Sequence, residues 1–188
     1  MFVRLVEPGI ELRLFAMKDA DELLEVINQN RAYLREWLPW VDFSHSTDDL
    51  RHFIQRVIKQ FEANQGPQTI LRVDGRIAGS VGCHPIDWPN RHCSVGYWMD
   101  ERHQGRGIMT RACSSMLDYL FDELGLHRVT IQCATGNHRS CAIPRRLGFM
   151  REGIVRQSEW VNDRWLDLVI WGMLEQDWRA QREARKGA

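Results

Sequence analysis

The chain has 188 residues, of which 44% are hydrophobic and 27% are charged, with 25 basic and 25 acidic side chains. This composition is typical of one folded domain and excludes a disordered chain. A net charge of zero argues against nucleic acid or an anionic membrane as the main partner.

The sequence predicts neither a secretion signal nor a membrane span, because no apolar run approaches the roughly 20 residues of a membrane helix. The seven histidines lack metal-type spacing, so no metal site is expected. An odd number of cysteines suits no closed disulfide framework, and we interpret these residues as small apolar side chains of a cytoplasmic protein. They are Cys83, Cys93, Cys113, Cys133 and Cys141.

The first part of the chain reads as a strand followed by two helices. Alternating apolar and polar residues predict the strand at Ile10–Leu14. Asp19 can cap a helix over 20–30, and the stretch 47–50 is typical of the start of a second helix. An aromatic segment at 33–40 lies between the two helices.

The middle of the chain predicts a hairpin, a strand and a long helix. Strands at 69–73 and Arg76–Cys83 flank an Asp-Gly pair, which is a strong turn signal. His92–Met99 predicts another strand, and apolar residues at helical spacing predict a helix over 107–124.

The last part alternates again between strands and one short helix. Strands are expected at 128–133, from Phe149 onward and at 165–173, with a helix over 137–147. These elements predict an α/β (α+β) fold, a mixed sheet of about seven strands flanked by helices.

No repeat or linker divides the chain, so we expect a single domain over 1–178. A charged C-terminal tail follows at 179–188.

A glycine turn, Gln104-Gly105-Arg106-Gly107, stands between a predicted strand and a predicted helix. A helix N-terminus has unpaired N–H groups and a partial positive charge, and glycines let a phosphate approach the backbone. A Walker-type site would need a lysine that is absent, and a dinucleotide fingerprint would need glycine where Thr110 stands. The residues of the turn thus allow either a pyrophosphate site or an ordinary strand-to-helix turn.

Several motifs in a fixed order resemble the GNAT superfamily of N-acetyltransferases over roughly residues 8–178. The motifs are Gln104-x-x-Gly107-x-Met109, Val95-Gly-Tyr-Trp98, Asn137-His-Arg-Ser140 and Arg146-Leu-Gly-Phe149. They are most similar to the RimJ/RimL branch, which acetylates the N-terminal α-amines of ribosomal proteins. In that branch a homodimer is common. The resemblance implies a mostly antiparallel sheet in which the strand before the glycine turn separates from its neighbour.

The resemblance implies acetyl-CoA as the co-substrate. The residues expected to hold it are Trp98, Met99, Gln104, Gly105, Arg106, Gly107, Ile108, Met109, Thr110 and Asn137. A backbone N–H near Trp98 or Met99 would polarise the thioester carbonyl. Asn137 has a second interpretation, as the N-cap of the following helix.

The tyrosine that many family members use as general acid is absent, because Pro144 stands at the matching position. The resemblance to the RimL-like branch suggests Ser140 as acid and Glu159 as base. Surface exposure of Glu159 and simple capping by Ser140 are the alternatives. Three aromatic residues are candidates for the acceptor channel. They are Trp37, Trp40 and Trp160.

We therefore expect direct acetyl transfer, in a ternary complex, to the N-terminal α-amine of a ribosomal or other protein. An aminoglycoside or polyamine acceptor is the second hypothesis, for which Asp42, Asp48 and Asp49 could form an acidic pocket. A CoA-binding regulatory module without turnover is the third.

Overall fold

The computed structural model describes residues 2–186, which form an eight-stranded sheet with five α-helices. The strands are β1 (Val3–Glu7), β2 (Ile10–Leu14), β3 (Gln68–Val73), β4 (Arg76–Cys83), β5 (His92–Met99), β6 (Arg128–Ala134), β7 (Met150–Val161) and β8 (Arg164–Leu174). The helices are α1 (Ala20–Arg35), α2 (Thr47–Glu62), α3 (Ile108–Asp118), α4 (His138–Leu147) and α5 (Glu175–Lys186).

The sheet order is β1-β2-β3-β4-β5-β6-β8-β7, and the pair β5–β6 is parallel while the other neighbours are antiparallel. This arrangement confirms the expected mixed, mostly antiparallel sheet flanked by helices. Among the described residues, no helix combines the length and the apolar character needed to cross a bilayer.

Two hydrophobic clusters lie on opposite faces of the sheet. Ile70 of β3 packs with residues of α1 and α2, whereas its neighbour Leu71 belongs to the cluster that contains α3 and the C-terminal Trp178. Successive strand residues point to opposite faces, so this division follows directly from the strand period of two. The sheet is thereby covered on both sides and leaves its strand ends for the functional site.

The strand count is eight rather than about seven because β1 pairs with β2 at the edge of the sheet. Its apolar residues do not mark a buried face: Val3 is 49% exposed and Leu5 is 72% exposed. Arg4, in contrast, is partly buried and reaches Ser115 and Glu123. The usual link between hydrophobicity and burial is inverted there, which is why the sequence pattern does not reveal β1.

The C-terminal prediction also needs correction. A charged tail is expected at 179–188, whereas the residues up to Lys186 continue α5. Residues 187–188 lie outside the described part of the chain. The helix crosses the expected domain boundary at 178, and the fully buried Trp178 attaches it to the core.

Two helix details differ from expectation as well. Asp19 stands before α1 without capping it, because its carboxylate pairs with Arg13 at 2.6 Å and accepts the Ala16 N–H at 2.7 Å. The helix expected over 107–124 is α-helical only to Asp118, and a π-helical turn follows at Tyr119–Glu123.

Candidate active site

A cavity of about 1550 Å³ opens where β5 and β6 separate. Residues 92–95 of β5 pair with 128–131 of β6. Beyond that point β5 continues against β4 and β6 continues against β8, so a gap lies between 96–99 and 132–134. The gap leaves backbone groups of β5 free to bond an extended ligand.

The glycine turn lies at one end of this cavity and begins α3. Gly107 has φ +72° and is the N-cap residue, and Gly105 has φ +75°. L-amino acids with a side chain rarely adopt this conformation, so both positions favour glycine. The Arg111 N–H makes the first helical bond, to the Gly107 carbonyl at 3.1 Å. By helix geometry, the preceding N–H groups of Ile108, Met109 and Thr110 are available to an anion.

Two arginines of α4 approach the turn. Arg146 donates to the Thr110 hydroxyl at 3.1 Å, and Arg139 donates to the side-chain carbonyl of Gln104 at 3.0 Å. Arg106, expected to contact the co-substrate, is exposed and lies outside the residues that line the cavity. The positive helix end, the two glycines and these guanidinium groups suit a pyrophosphate.

The start of α4 forms another wall of the cavity. The Asn137 side chain accepts the Ser140 N–H at 3.0 Å, which is the N-cap interpretation of this residue. Asn137 also lines the cavity, so a contact with the co-substrate is compatible with the capping bond. Ser140 lines the cavity too, and its hydroxyl lies 3.3 Å from the Cys133 sulfur.

Glu159 reaches the cavity through an irregularity in β7. Val155 pairs with Leu168 and Glu159 pairs with Leu166, so three residues of β7 oppose the single Asp167 of β8. The middle one, Gln157, has φ +48° and donates its N–H to the Asp167 carboxylate at 2.8 Å. Bulges of this kind re-aim side chains near functional sites.

Partial burial raises the pKa of the Glu159 carboxyl above its ordinary value. A carboxylate with a raised pKa is a better proton acceptor than an exposed one. Its position in the cavity therefore allows it to act as a general base.

Aromatic side chains line the remaining wall of the cavity. Trp37, Trp40 and Phe43 line it, and the Trp40 and Trp98 rings lie 5.9 Å apart. Trp160, predicted to touch the acceptor, is not among the lining residues. It is 51% exposed, and its ring packs edge-on against another exposed indole instead.

The aspartates expected to form an acidic pocket are mostly engaged elsewhere. Asp42 pairs with Arg35 at 2.6 Å, and Asp48 pairs with Arg51 at 3.0 Å. Asp49 caps the start of α2 and is the one aspartate of the three that lines the cavity. This arrangement gives little support to a polyamine-binding pocket.

The sequence-predicted residues therefore meet at one site, apart from Arg106 and Trp160. The lining residues from the prediction are Trp37, Trp40, Trp98, Met99, Gln104, Gly105, Gly107, Ile108, Met109, Thr110, Asn137, Ser140 and Glu159. Sequence reasoning missed Tyr97, His84 and Gln68, which also line the cavity. Tyr97 lies within the Val95-Gly-Tyr-Trp98 motif, and strand alternation is the signal that could have found it.

The arrangement suits a transferase, with space beside the glycine turn for a substrate that carries a pyrophosphate. Within residues 2–186 no cluster of three or more His, Cys, Asp or Glu could hold a metal ion. A family model described as "Acetyltransferase (GNAT) domain" matches residues 10–150. The chain belongs to the GNAT family of acetyltransferases, whose co-substrate is acetyl-CoA.

Three known proteins illustrate the similarity. The "Putative ribosomal N-acetyltransferase YdaF" of Bacillus subtilis is 37% identical over 97% of this chain and 100% of its own length. The "Ribosomal-protein-serine acetyltransferase" of Escherichia coli is 27% identical over 90% of this chain and 94% of its own. A crystal structure of a microcin self-immunity acetyltransferase with acetyl-CoA and AMP has a TM-score of 0.85 at 29% identity, covering 90% and 94% of the two chains.

Proposed function

We propose that this acetyltransferase modifies the N-terminal α-amine of a protein, with a ribosomal protein as the first candidate, by direct attack in a ternary complex. One observation carries the proposal: a single cavity joins the glycine turn to Glu159, Ser140 and the aromatic wall. Both substrates can then be held together, which supplies much of the barrier reduction in such reactions. The names of the two curated relatives support a ribosomal acceptor.

In this proposal Glu159 accepts a proton from the attacking amine. Acetyl-CoA supplies the activated acetyl group when it is bound. An α-amine has an ordinary pKa of about 7.7–8.0, against about 10.4 for lysine, so a fraction of it is already neutral at pH 7. A carboxylate base of raised pKa is therefore better suited to deprotonate an α-amine than to deprotonate a lysine.

Ser140 has the complementary role in the proposal. Its hydroxyl lines the cavity near the N-terminus of α4, and in the proposal it donates a proton to the leaving sulfur. The backbone N–H groups near Trp98 and Met99, at the separated end of β5, would stabilise the developing oxyanion. In this proposal the chain provides a base for the amine, an acid for the leaving thiolate and hydrogen-bond donors for the oxyanion.

The acceptor is tested with two matched peptides and acetyl-CoA. The first peptide begins with a free serine α-amine and carries a blocked lysine, and the second has a blocked N-terminus and a free lysine. We expect CoA release and a mass increase of one acetyl group for the first peptide only. Acetylation restricted to an aminoglycoside or polyamine would overturn the proposed acceptor, and CoA binding without any turnover would overturn catalysis.

Glu159→Gln is the catalytic variant for this assay. We expect a kcat lower by about tenfold to a hundredfold, near the lower end of general-base effects because an α-amine is partly neutral. The CoA dissociation constant, measured by calorimetry, should change less than about twofold, since Glu159 is on β7, outside the segments proposed to hold CoA. An unchanged kcat from pH 6 to pH 9 would remove Glu159 from the mechanism.

We further infer a cytoplasmic location and a homodimer. The five described cysteines are buried and free, which suits a reducing compartment. Exposed apolar side chains on the β7–β8 hairpin, among them Met150, Trp160 and Trp165, offer a surface for a second copy. Cell fractionation tests the first inference, and sedimentation equilibrium at micromolar concentration tests the second.

A further inference from the structure

Pro144 lies inside α4 and removes one hydrogen-bond donor from it. In a regular helix the N–H of residue 144 would bond to the carbonyl of Ser140, four residues earlier. Proline has no N–H, so the Ser140 carbonyl needs another donor or water. Ser140 is the proposed acid, and this gap therefore lies at the functional site.

Tyr97 fills the gap from the neighbouring strand. Its phenol donates to the Ser140 carbonyl oxygen at 3.0 Å. The same phenol oxygen lies 3.3 Å from the Ser140 hydroxyl, which in turn lies 3.3 Å from the Cys133 sulfur. Tyr97 belongs to the part of β5 that has separated from β6, so its side chain can reach across to α4.

The donors and acceptors of this cluster can be assigned. A phenol has one proton, and Tyr97 gives it to the Ser140 carbonyl, so toward the Ser140 hydroxyl it can only accept. Burial raises the pKa of Tyr97 well above its ordinary value and that of the Cys133 thiol to about 11. Both groups therefore stay neutral at physiological pH. The Ser140 hydroxyl gives its one proton to the phenol or to the Cys133 sulfur in this arrangement, and it rotates away from them to protonate the leaving sulfur in the proposal.

We propose that Tyr97 is a positioning residue for Ser140, replacing with its phenol the backbone hydrogen bond that Pro144 removes. The proposal rests on the proposed role of Ser140 in proton transfer. It explains why a partly buried phenol stands beside the cavity without being needed as the acid. It also makes Tyr97 and Pro144 a coupled pair, because a residue with an N–H at position 144 would reduce the need for the phenol.

The test is a cycle of Tyr97→Phe, Pro144→Ala and the double variant. We expect Tyr97→Phe to lower kcat by about fivefold to tenfold, the effect of losing roughly one hydrogen bond. The CoA dissociation constant should change less than about twofold. Pro144→Ala alone should keep kcat within about twofold, and in its background the Tyr97→Phe effect should shrink to less than about threefold.

Two control experiments distinguish a positioning role of Tyr97 from other roles. Tyr119→Phe, outside the cavity, should leave kcat unchanged and controls for loss of a phenol in general. In a Ser140→Ala background, Tyr97→Phe should have no further effect on kcat, because Tyr97 acts through the missing hydroxyl. If Tyr97→Phe lowers kcat equally in the native and the Pro144→Ala backgrounds, the two residues are not coupled and the proposal is overturned.

A separate measurement shows whether Ser140 acts as the acid at all. If Ser140→Ala keeps full kcat, the role of Ser140 is wrong whatever Tyr97 does. The carbonyl ¹³C resonance of Ser140 then still reports the hydrogen bond. It should shift in Tyr97→Phe and return toward its original position in the double variant, and the absence of any shift in Tyr97→Phe would contradict the bond itself.

Discussion

Two glutamates on one hairpin show how the surroundings of a carboxyl decide its function. Burial raises the pKa of Glu159, whereas the hydrogen bond from Arg128 lowers the pKa of Glu152. The guanidinium of Arg128 pairs with Glu152 at the partly exposed side of the sheet. The first carboxyl is suited to accept a proton, and the second is suited to remain an ion pair.

Opposite pH dependences of stability follow from these two shifts. Glu159 binds its proton more tightly in the folded state, so its contribution to stability falls as pH rises from the ordinary carboxyl value through the raised one. Glu159→Gln should therefore increase the unfolding free energy at pH 7. This gain should vanish at acid pH, where the native glutamate is protonated.

Glu152→Gln is the matched control and should behave in the reverse way. Its lowered pKa means that the ion pair stabilises the fold above the ordinary carboxyl pKa and loses this effect as pH falls. The variant should be less stable than the native protein at pH 7 and similar to it at acid pH. Urea unfolding over a series from pH 2 to pH 7 measures both free energies. Changes of the same sign in the unfolding free energy of the two variants at pH 7 would contradict the assignment.

At the level of elements, the bulge in β7 sets the position of Glu159. Asp167 holds the bulge by accepting the Gln157 N–H. We expect Asp167→Ala to lower kcat by about tenfold, since displacement of a catalytic group by about 1 Å can cost up to a hundredfold. The CoA dissociation constant, from calorimetry, should stay within about twofold.

Asp167→Asn keeps a carbonyl oxygen at the same place and is the control for this prediction. It should retain most of the kcat that Asp167→Ala loses. A full kcat in Asp167→Ala would show that the backbone pairing of β7 with β8 holds the bulge unaided.

The turn before α3 gives a second prediction for an element. Gly107→Ala places a Cβ at φ +72° about 2.8 Å from the Arg111 guanidinium, beside the N–H groups that face the proposed pyrophosphate. We expect the CoA dissociation constant to rise at least about tenfold. Strain of about 1–2 kcal/mol from a left-handed alanine adds a loss of stability.

Gly125→Ala separates binding from strain. Gly125 has φ +64° with open space around it, and it lies just after the π-helical turn that follows α3. A similar loss of stability with an unchanged CoA dissociation constant is expected. Equal weakening of CoA binding in both variants would mean that the turn acts only through the fold.

Across the whole molecule, strand and helix periodicity predicts most elements correctly. Ile10–Leu14 and His92–Met99 are strands with the predicted bounds, because one side of each strand packs on a core. The edge strand β1 and helix α5 are not predicted, because the local sequence pattern indicates neither the pairing of β1 with β2 nor the helical structure of α5. A charged segment such as 179–186 becomes helical only where a buried anchor ties it to the core.

The site is predictable to a smaller extent. Motifs bring Gln104, Asn137 and Glu159 to one cavity, but the separation of β5 from β6 depends on pairing that no local pattern specifies. The donor that Pro144 removes can be inferred from sequence, whereas its replacement by Tyr97 requires the packing of a strand against a helix. Contacts between a strand and a helix depend on the whole fold and cannot be predicted from the sequence of the strand or of the helix alone.

Trp178 is the residue through which the end of the chain contributes to that fold. It is fully buried, its ring lies 6.3 Å from that of Phe121, and its indole N–H donates to the Asp118 carboxylate at 3.2 Å. We expect Trp178→Ala to reduce the unfolding free energy by about 3–5 kcal/mol, a large part of the roughly 5–15 kcal/mol of a typical domain. Trp178→Phe keeps an aromatic ring and should cost less.

Because α5 packs on the face opposite α1 and α2, away from the strand ends that form the cavity, this loss should appear in stability and not in binding. Urea unfolding followed by circular dichroism gives the free energies, and calorimetry with CoA at low temperature gives the affinity of the folded fraction. Arg179→Ala, on the exposed side of α5, should stay within about 0.5 kcal/mol. If Trp178→Ala costs less than about 1 kcal/mol, α5 is attached by its other contacts and the end of the chain is not part of the core.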